Sequence, residues 1–306
     1  MICIMNNKHA FLIIAHNQFD ILEKLIIMLD DDRNDIFLHI DKRVEHFNKN
    51  RFSALVKHSE LHFTKRIAVY WGHSSQVDCE LLLLGECLKY GPYQYVHLLS
   101  GVDLPIKTQD EIHRFFDEHP NTQFLQIGWA DRHLYRLEKY HFFLKYTHVS
   151  EKIKGLVNKT VNAVTAKLRI NRLKKYGDME IVKTANWFSI TGECAEYVYS
   201  KRRFIRRLTR FTVCADEMFL GTVIRSSPFW SQVYNPEPSW DGHMRYIDRI
   251  RNVGSSPHIF TINDKDHIIE SKMLFARKFD ENVDNEIIRF VYHNYLKGSV
   301  NPCQNE

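Results

Sequence analysis

Two adjacent carboxylates, Asp216 and Glu217, immediately precede the apolar run Met218–Ile224. A carboxylate placed against a substrate hydroxyl can take its proton as the oxygen attacks. Nearer the C-terminus Arg277 and Lys278 stand side by side, and such cations suit a phosphate or a departing diphosphate. Three further segments are polar or carry Gly where a plain core does not need it: Trp71-Gly72-His73-Ser74-Ser75, Ser100-Gly101-Val102-Asp103-Leu104-Pro105-Ile106, and Asn186-Trp187-Phe188-Ser189. Each also has an ordinary structural explanation. Trp71 and Trp187 suit a core, Gly101-Val102-Asp103 suits a turn, and Asp216-Glu217 suits the start of a helix.

Metal chemistry has weak support. Asp30-Asp31-Asp32 contains a literal Asp-x-Asp, but it falls at a helix end before an apolar strand and reads as a solvated loop. His58 and His62 have the i,i+4 spacing of a zinc pair, yet no third ligand and no HExxH pattern accompany them. The expectation is that neither a metal nor another cofactor is required.

These residues are carried by alternating strand and helix signals. His9–His16 and Asp35–Asp41 are nearly continuous apolar runs, as in buried parallel strands, with helical periodicity over Asp20–Leu29 between them. Leu61–Thr64 reads as a third strand. Ser74–Tyr90 reads as a helix capped by Ser74 or Ser75 and stopped by Gly91-Pro92. Strands Tyr93–Leu99 and Thr122–Ile127 flank a short helix around Gln109–Asp117. Later elements are strand Ile181–Ile190, helices Gly192–Ser200 and Ala215–Ile224, strand His258–Ile262, and helices Asp264–Ser271 and Asp284–Tyr295. This alternation implies an α/β fold with a mainly parallel, Rossmann-like sheet flanked by helices, in which ligands bind beyond the C-terminal strand ends.

The chain of 306 residues has a formal charge of +5, too mild to signal nucleic-acid binding. Its six cysteines are scattered without a CxxC, which favours a reducing compartment. No signal peptide is visible, and no run of about 20 apolar residues exists to span a membrane. Residues Glu151–Tyr176 hold eight Lys and Arg against the single acid Glu151, with apolar residues near helical spacing. Such a segment can lie on an anionic membrane or be a solvated link between two halves.

The chain resembles the core-2/I-branching β-1,6-N-acetylglucosaminyltransferase family, which also includes peptide O-xylosyltransferases. The resemblance is carried in order by Phe37–Arg43 (FLHIDKR), Val69–Ser75 (VYWGHSS), His97–Thr108 (HLLSGVDLPIKT), Ala185–Thr191 (ANWFSIT), Ala215–Ile224 (ADEMFLGTVI), Met244–Arg249 (MRYIDR) and Leu274–Asp280 (LFARKFD). It runs from about His9 to about Tyr295. HLLSGVDLPIKT and LFARKFD are its specific parts.

The resemblance implies a variant GT-A fold that works without metal: one glycosyltransferase domain over residues 1–295, with a nucleotide-sugar half at about 9–130 and an acceptor and catalytic half at about 177–295. It implies an inverting transferase moving a sugar, GlcNAc from UDP-GlcNAc foremost, onto a carbohydrate hydroxyl, with xylose or another sugar as the alternative. By this match Glu217 is the general base and Asp216 holds the turn or tunes its neighbour. Lys278 contacts the diphosphate, helped by Arg277. A second phosphate-binding cation is sought among Arg245, Arg251 and His258. Simple counting back from Lys278 reaches Ser255, which is not basic. His16, Asp41, Ser100 and Asp103 fall where uridine and ribose would bind, and Trp71, His73 and Trp187 where a sugar or acceptor would lie. The implied partners are a nucleotide-sugar donor and a carbohydrate or lipid-linked glycan acceptor, with contact to an anionic membrane through the basic segment.

Without the N-terminal anchor and disulfides of animal members, a bacterial-type enzyme is expected, cytoplasmic or peripheral on the cytoplasmic face of the inner membrane and serving surface polysaccharide synthesis. Glu217 and Lys278 argue against an inactive glycan-binding module. The lack of GxGxxG after the first strand argues against a dinucleotide-dependent oxidoreductase.

Overall fold

The computed structural model describes residues 7–146, 149–252, 254 and 256–296. Among the described residues nine strands form two sheets: β1 (His9–Ala15), β2 (Asn34–Ile40), β3 (Glu60–Phe63), β4 (Tyr95–Ser100), β5 (Leu104–Pro105), β6 (Phe124–Gly128), β7 (Lys183–Thr191), β8 (Arg245–Ile247) and β9 (Phe275–Arg277). The large sheet has the order β3-β2-β1-β4-β7-β6, and the small one β5-β9-β8. Strands β1 to β4 are mutually parallel. Strands β1, β2 and β4 are buried on both faces because helices cover both, whereas β3 at the sheet edge is only partly buried.

Alternate residues of β1 feed two cores. Phe11, Ile13 and Ala15 pack with the helix Phe19–Leu29 and the C-terminal helix Asn285–Tyr295. Ala10 and Leu12 pack with the helices Ser75–Cys87, Gly192–Ser200 and Phe219–Arg225. The expected Rossmann-like α/β architecture with a mostly parallel sheet is therefore present. It is qualified at one strand: β7 lies antiparallel between β4 and β6. An antiparallel neighbour needs no crossover helix, and here the chain reaches β7 by an irregular excursion over residues 131–176.

Two local expectations are corrected. The expected helix Ala215–Ile224 is broken into a 3-10 turn, Ala215–Glu217, and a helix, Phe219–Arg225. Cys214 enters that turn in the left-handed region (φ 47°), and its N–H donates to the Gly72 carbonyl at 2.8 Å. The segment expected as strand His258–Ile262 has no sheet partner; isolated backbone bonds hold it, His258 N–H to Asp248 and Phe260 N–H to Lys278. His58 and His62 do not share a helix. His62 lies in β3 against Phe37 and Tyr90, and His58 pairs with Asp32.

The Asp30–Asp32 run is an anchor more than a solvated loop. Asp30 accepts from the backbone N–H groups of Lys57, His58 and Ser59, and Asp31 is buried against Arg33. The basic segment forms a helix, Glu151–Lys167, with no buried residue. No helix among the described residues is long and apolar enough to cross a membrane. Cys3, Cys303 and Ser255 lie outside the described residues.

Candidate active site

A cleft of about 380 Å³ opens beyond the C-terminal ends of β1, β2 and β4, where Ala15, His16, Asp41 and Ser100 meet the small sheet. A cleft of that size holds a small-molecule ligand, and its place is the one a doubly wound sheet provides. Strand β7 contributes Asn186 and Trp187 to the wall, the helix Ser75–Cys87 contributes Gln76 and Glu80, and the 3-10 turn contributes Asp216 and Glu217. A smaller recess beside it is lined by His16, Gln18, Gly101, Arg277 and Lys278.

Glu217 is gripped from two directions. Its Oε2 accepts from Arg136 Nη1 at 2.5 Å and lies 3.3 Å from Lys183 Nζ. Burial alone would raise its pKa, but the charges of Lys183 and Arg136 outweigh burial and hold the carboxyl below its ordinary value. Both cations address Oε2, and Oε1 accepts no hydrogen bond from the described residues. At neutral pH the group is thus a carboxylate with one oxygen uncommitted.

Its neighbour Asp216 behaves differently. It is 6% exposed, and its Oδ2 accepts from Gln76 Nε2 at 3.0 Å. Burial, followed by repulsion from Glu217, pushes its pKa up to about 7. The two adjacent acids thus shift in opposite directions, because the cations act mainly on Glu217.

The cations expected to meet a diphosphate separate into engaged and unengaged groups. Arg245 is corrected: it is 2% exposed, and its guanidinium donates to Ser189 Oγ and to the carbonyls of His243, Leu98 and Phe188. Its charge is spent inside the sheet packing, out of reach of a ligand. His258 and Arg251 are also corrected: both turn to Asp264, and neither lines the cleft. Arg277 lines both cavities but is tied to Ser100 Oγ and Asp103, and it stacks on Trp187 at 4.3 Å from the ring centroid. Lys278 lines the recess and makes no ion pair among the described residues. Arg249 lines the cleft near Glu217 and Arg277, stacked on Trp240, and is likewise without an ion pair among the described residues.

Of the residues expected at the nucleotide, His16 is exposed and touches both cavities. Partial desolvation of its ring, despite that surface position, leads the causes that lower its pKa, with Arg43, Lys278 and Arg277 adding to this and Asp41 opposing. Asp41 lines the cleft, but its oxygens hold Arg43 and the Val69 N–H. Asp103 is a correction. It is buried and outside the cleft lining, and it braces its own loop through the Ser100 N–H and Arg277.

Ser100 reaches the cleft while donating its hydroxyl to Asp103. Trp71 is 77% exposed at the rim, a free aromatic face, whereas Trp187 is buried beneath Arg277. His73 does not line the cleft: its Nδ1 accepts from the Ser75 N–H and caps the helix in place of Ser74.

Four site residues lie beyond the reach of the sequence reading. Arg136 and Lys183 fall outside every matching segment. Arg249 closes one of them, but Arg245 in the same segment is the cation that the reading selects. Glu80 is an acid on the helix face that carries Val77, Leu81 and Leu84, and that mismatch is a readable signal.

The Core-2/I-Branching enzyme family matches residues 9–264. Human Xylosyltransferase 1 is 22% identical over 311 residues, covering 95% of this chain and 31% of that protein. Drosophila melanogaster Xylosyltransferase oxt is 23% identical over 280 residues, covering 86% of this chain and 30% of that one. The chain thus spans about a third of the length of the curated relatives it matches. Among solved structures, mouse Xyloside xylosyltransferase 1 in its apo form aligns with a TM-score of 0.32 at 12% identity, over 72% of this chain and 82% of that one. Through the match over residues 9–264, and with the cleft and its acid in place, this chain belongs to the Core-2/I-branching enzyme family of glycosyltransferases.

Proposed function

We propose that this protein transfers a sugar from a UDP-linked donor to a carbohydrate hydroxyl with inversion, Glu217 acting as general base. The observation that carries this reading is the Glu217 carboxylate at the cleft wall, ionised by two cations on Oε2 with Oε1 uncommitted. In the proposed step Oε1 takes the proton of the acceptor hydroxyl as its oxygen bonds to the anomeric carbon. The bond from that carbon to the diphosphate oxygen breaks, and the diphosphate leaves with the electron pair. Lys278 and Arg249, the two cavity-lining cations with no carboxylate partner among the described residues, supply the positive charge it needs. On this reading no metal is required. His16 and the Ser100 loop border the nucleotide, and Trp71 offers a face for a sugar ring.

N-acetylglucosamine is the proposed donor sugar. Xylose is the second reading, favoured by the names of the relatives above. The acceptor proposed is a surface or lipid-linked glycan, with the protein cytoplasmic or peripheral on the cytoplasmic face of a membrane. That placement is supported by Leu156 and Val164, exposed among the lysines of helix Glu151–Lys167.

The test is binding and slow hydrolysis of a panel of nucleotide sugars in EDTA, on wild type and Glu217→Gln. UDP-GlcNAc or UDP-xylose binding in EDTA, with turnover falling by about 10²–10⁴ in the variant, supports the base and the metal independence. A strict metal requirement, or full activity in Glu217→Gln, refutes the mechanism.

A further inference from the structure

Glu80 has no role in the chemistry above, yet it is a buried acid in the cleft wall. It lies on the buried face of the helix Ser75–Cys87, one turn beyond Gln76, and is 2% exposed. No hydrogen bond from the described residues reaches it, and its Oε2 is a buried oxygen without a partner. Asp216 shows the same deficit: Oδ2 is served by Gln76, while the buried Oδ1 has no partner. Gln76 is itself fixed, because its Oε1 accepts from the Gly72 N–H, so its amide cannot turn to serve both acids. Glu80, Gln76 and Asp216 all line the cleft beside Glu217. Burial and the neighbouring Asp216 push the Glu80 carboxyl well above the usual carboxylate range.

Buried polar atoms are normally paired, and two orphaned oxygens on residues that line one cavity require an explanation. Apolar residues at these positions would stabilise the empty protein better. A protonated carboxyl both donates and accepts and an ionised one accepts, so two buried acids side by side can meet the donors and acceptors of adjacent pyranose hydroxyls.

We propose that Glu80 and Asp216 form a hydroxyl-recognition subsite that grips the pyranose ring beside Glu217, a reading that rests on the sugar-transfer assignment above. Glu80 is the specificity-determining member, since Asp216 already has Gln76. The ring belongs either to the donor sugar or to the acceptor, and the experiment separates the two.

The variants are Glu80→Leu, which fits the apolar helix face, and Glu80→Gln, which keeps a donor and an acceptor. The measurements are the Kd of UDP alone, the Kd of the UDP-sugar that wild type binds, the acceptor KM and the melting temperature. For a donor-ring subsite, Glu80→Leu melts no lower than wild type and binds UDP unchanged, but loses about tenfold or more in UDP-sugar affinity. For an acceptor-ring subsite, the same loss appears in the acceptor KM. Glu80→Gln recovers most of either loss. The proposal is overturned if Glu80→Leu matches wild type in both sugar measurements, or if UDP alone weakens in parallel, which marks Glu80 as a shaping residue. Wild type that binds no nucleotide sugar at all removes the transferase reading and the subsite with it. Binding in wild type with an indifferent Glu80→Leu removes the subsite only.

Discussion

The two cations that grip Glu217 come from regions built in opposite ways. Lys183 opens β7, an internal strand paired on both sides, whose following residues Thr184, Ala185 and Trp187 to Thr191 are buried. Arg136 comes from the excursion over residues 131–176, where Leu137 is the one described residue that is buried. Hydrophobic burial fixes the first region. The second is fastened by polar ties: Asn158 and Asn162 bond the backbones of Phe142 and Tyr140, and Arg172 donates to the carbonyls of Leu137, Lys139, Leu208 and Arg210. Apolar burial stabilises through many small contacts, whereas a polar fastening concentrates in a few groups and fails when one is removed. The carboxylate is thus held on one side by a rigid element and on the other by one that a single substitution can release.

The largest effect expected from this contrast is at Arg172. Arg172→Ala strips donors from four carbonyls and should cost about 1–3 kcal/mol. Proteolysis should then cut within residues 131–176 before the sheet opens, as mass spectrometry of limited digests would show. Cleavage distributed evenly over the chain would contradict the division into two regions.

Next comes the pH profile. Arg136 and Lys183 both depress the Glu217 pKa against burial, so removing either raises it. In the proposed mechanism Glu217 acts as a carboxylate, so the acid limb of kcat/KM should move to higher pH in Arg136→Gln and in Lys183→Gln. At a pH below the limb, kcat/KM should be about tenfold lower for every pH unit by which the limb has moved. Raising the pH should restore Lys183→Gln more completely than Arg136→Gln, because the latter also frees the excursion. Equal restoration would show the excursion to be as rigid as the sheet.

The smallest effect is expected at Leu156, 66% exposed on the helix Glu151–Lys167. Leu156→Ser should leave stability within about 0.5 kcal/mol. On the membrane reading it should still weaken co-sedimentation with anionic vesicles at low salt. Wild-type protein that leaves such vesicles untouched would end that reading.

The rigid region is legible in the sequence and the fastened one largely is not. Strands β1, β2 and β4 announce themselves because burial on both faces demands unbroken apolar runs. Helix Gly192–Ser200 appears with its expected bounds, and Glu217 lines the cleft. Arg136 is hidden because nothing in a basic stretch separates one arginine that reaches Glu217 from its solvated neighbours. Arg245 and Arg249 share a single motif, and only the packing of β8 shows that the first turns into the sheets and the second toward the cleft. The break after Glu217 depends on Cys214 meeting the Gly72 carbonyl, a long-range contact that no local pattern encodes.

Arg245 has one further consequence. By donating from β8 to the Leu98 carbonyl of β4 and the Phe188 carbonyl of β7, it bolts the small sheet to the large one. The wall that carries Arg277 and the strand that carries Lys183 therefore share a fastener and shift only together. The part of the cleft that lies between them, from Arg277 to Trp187, keeps one width unless Arg245 lets go.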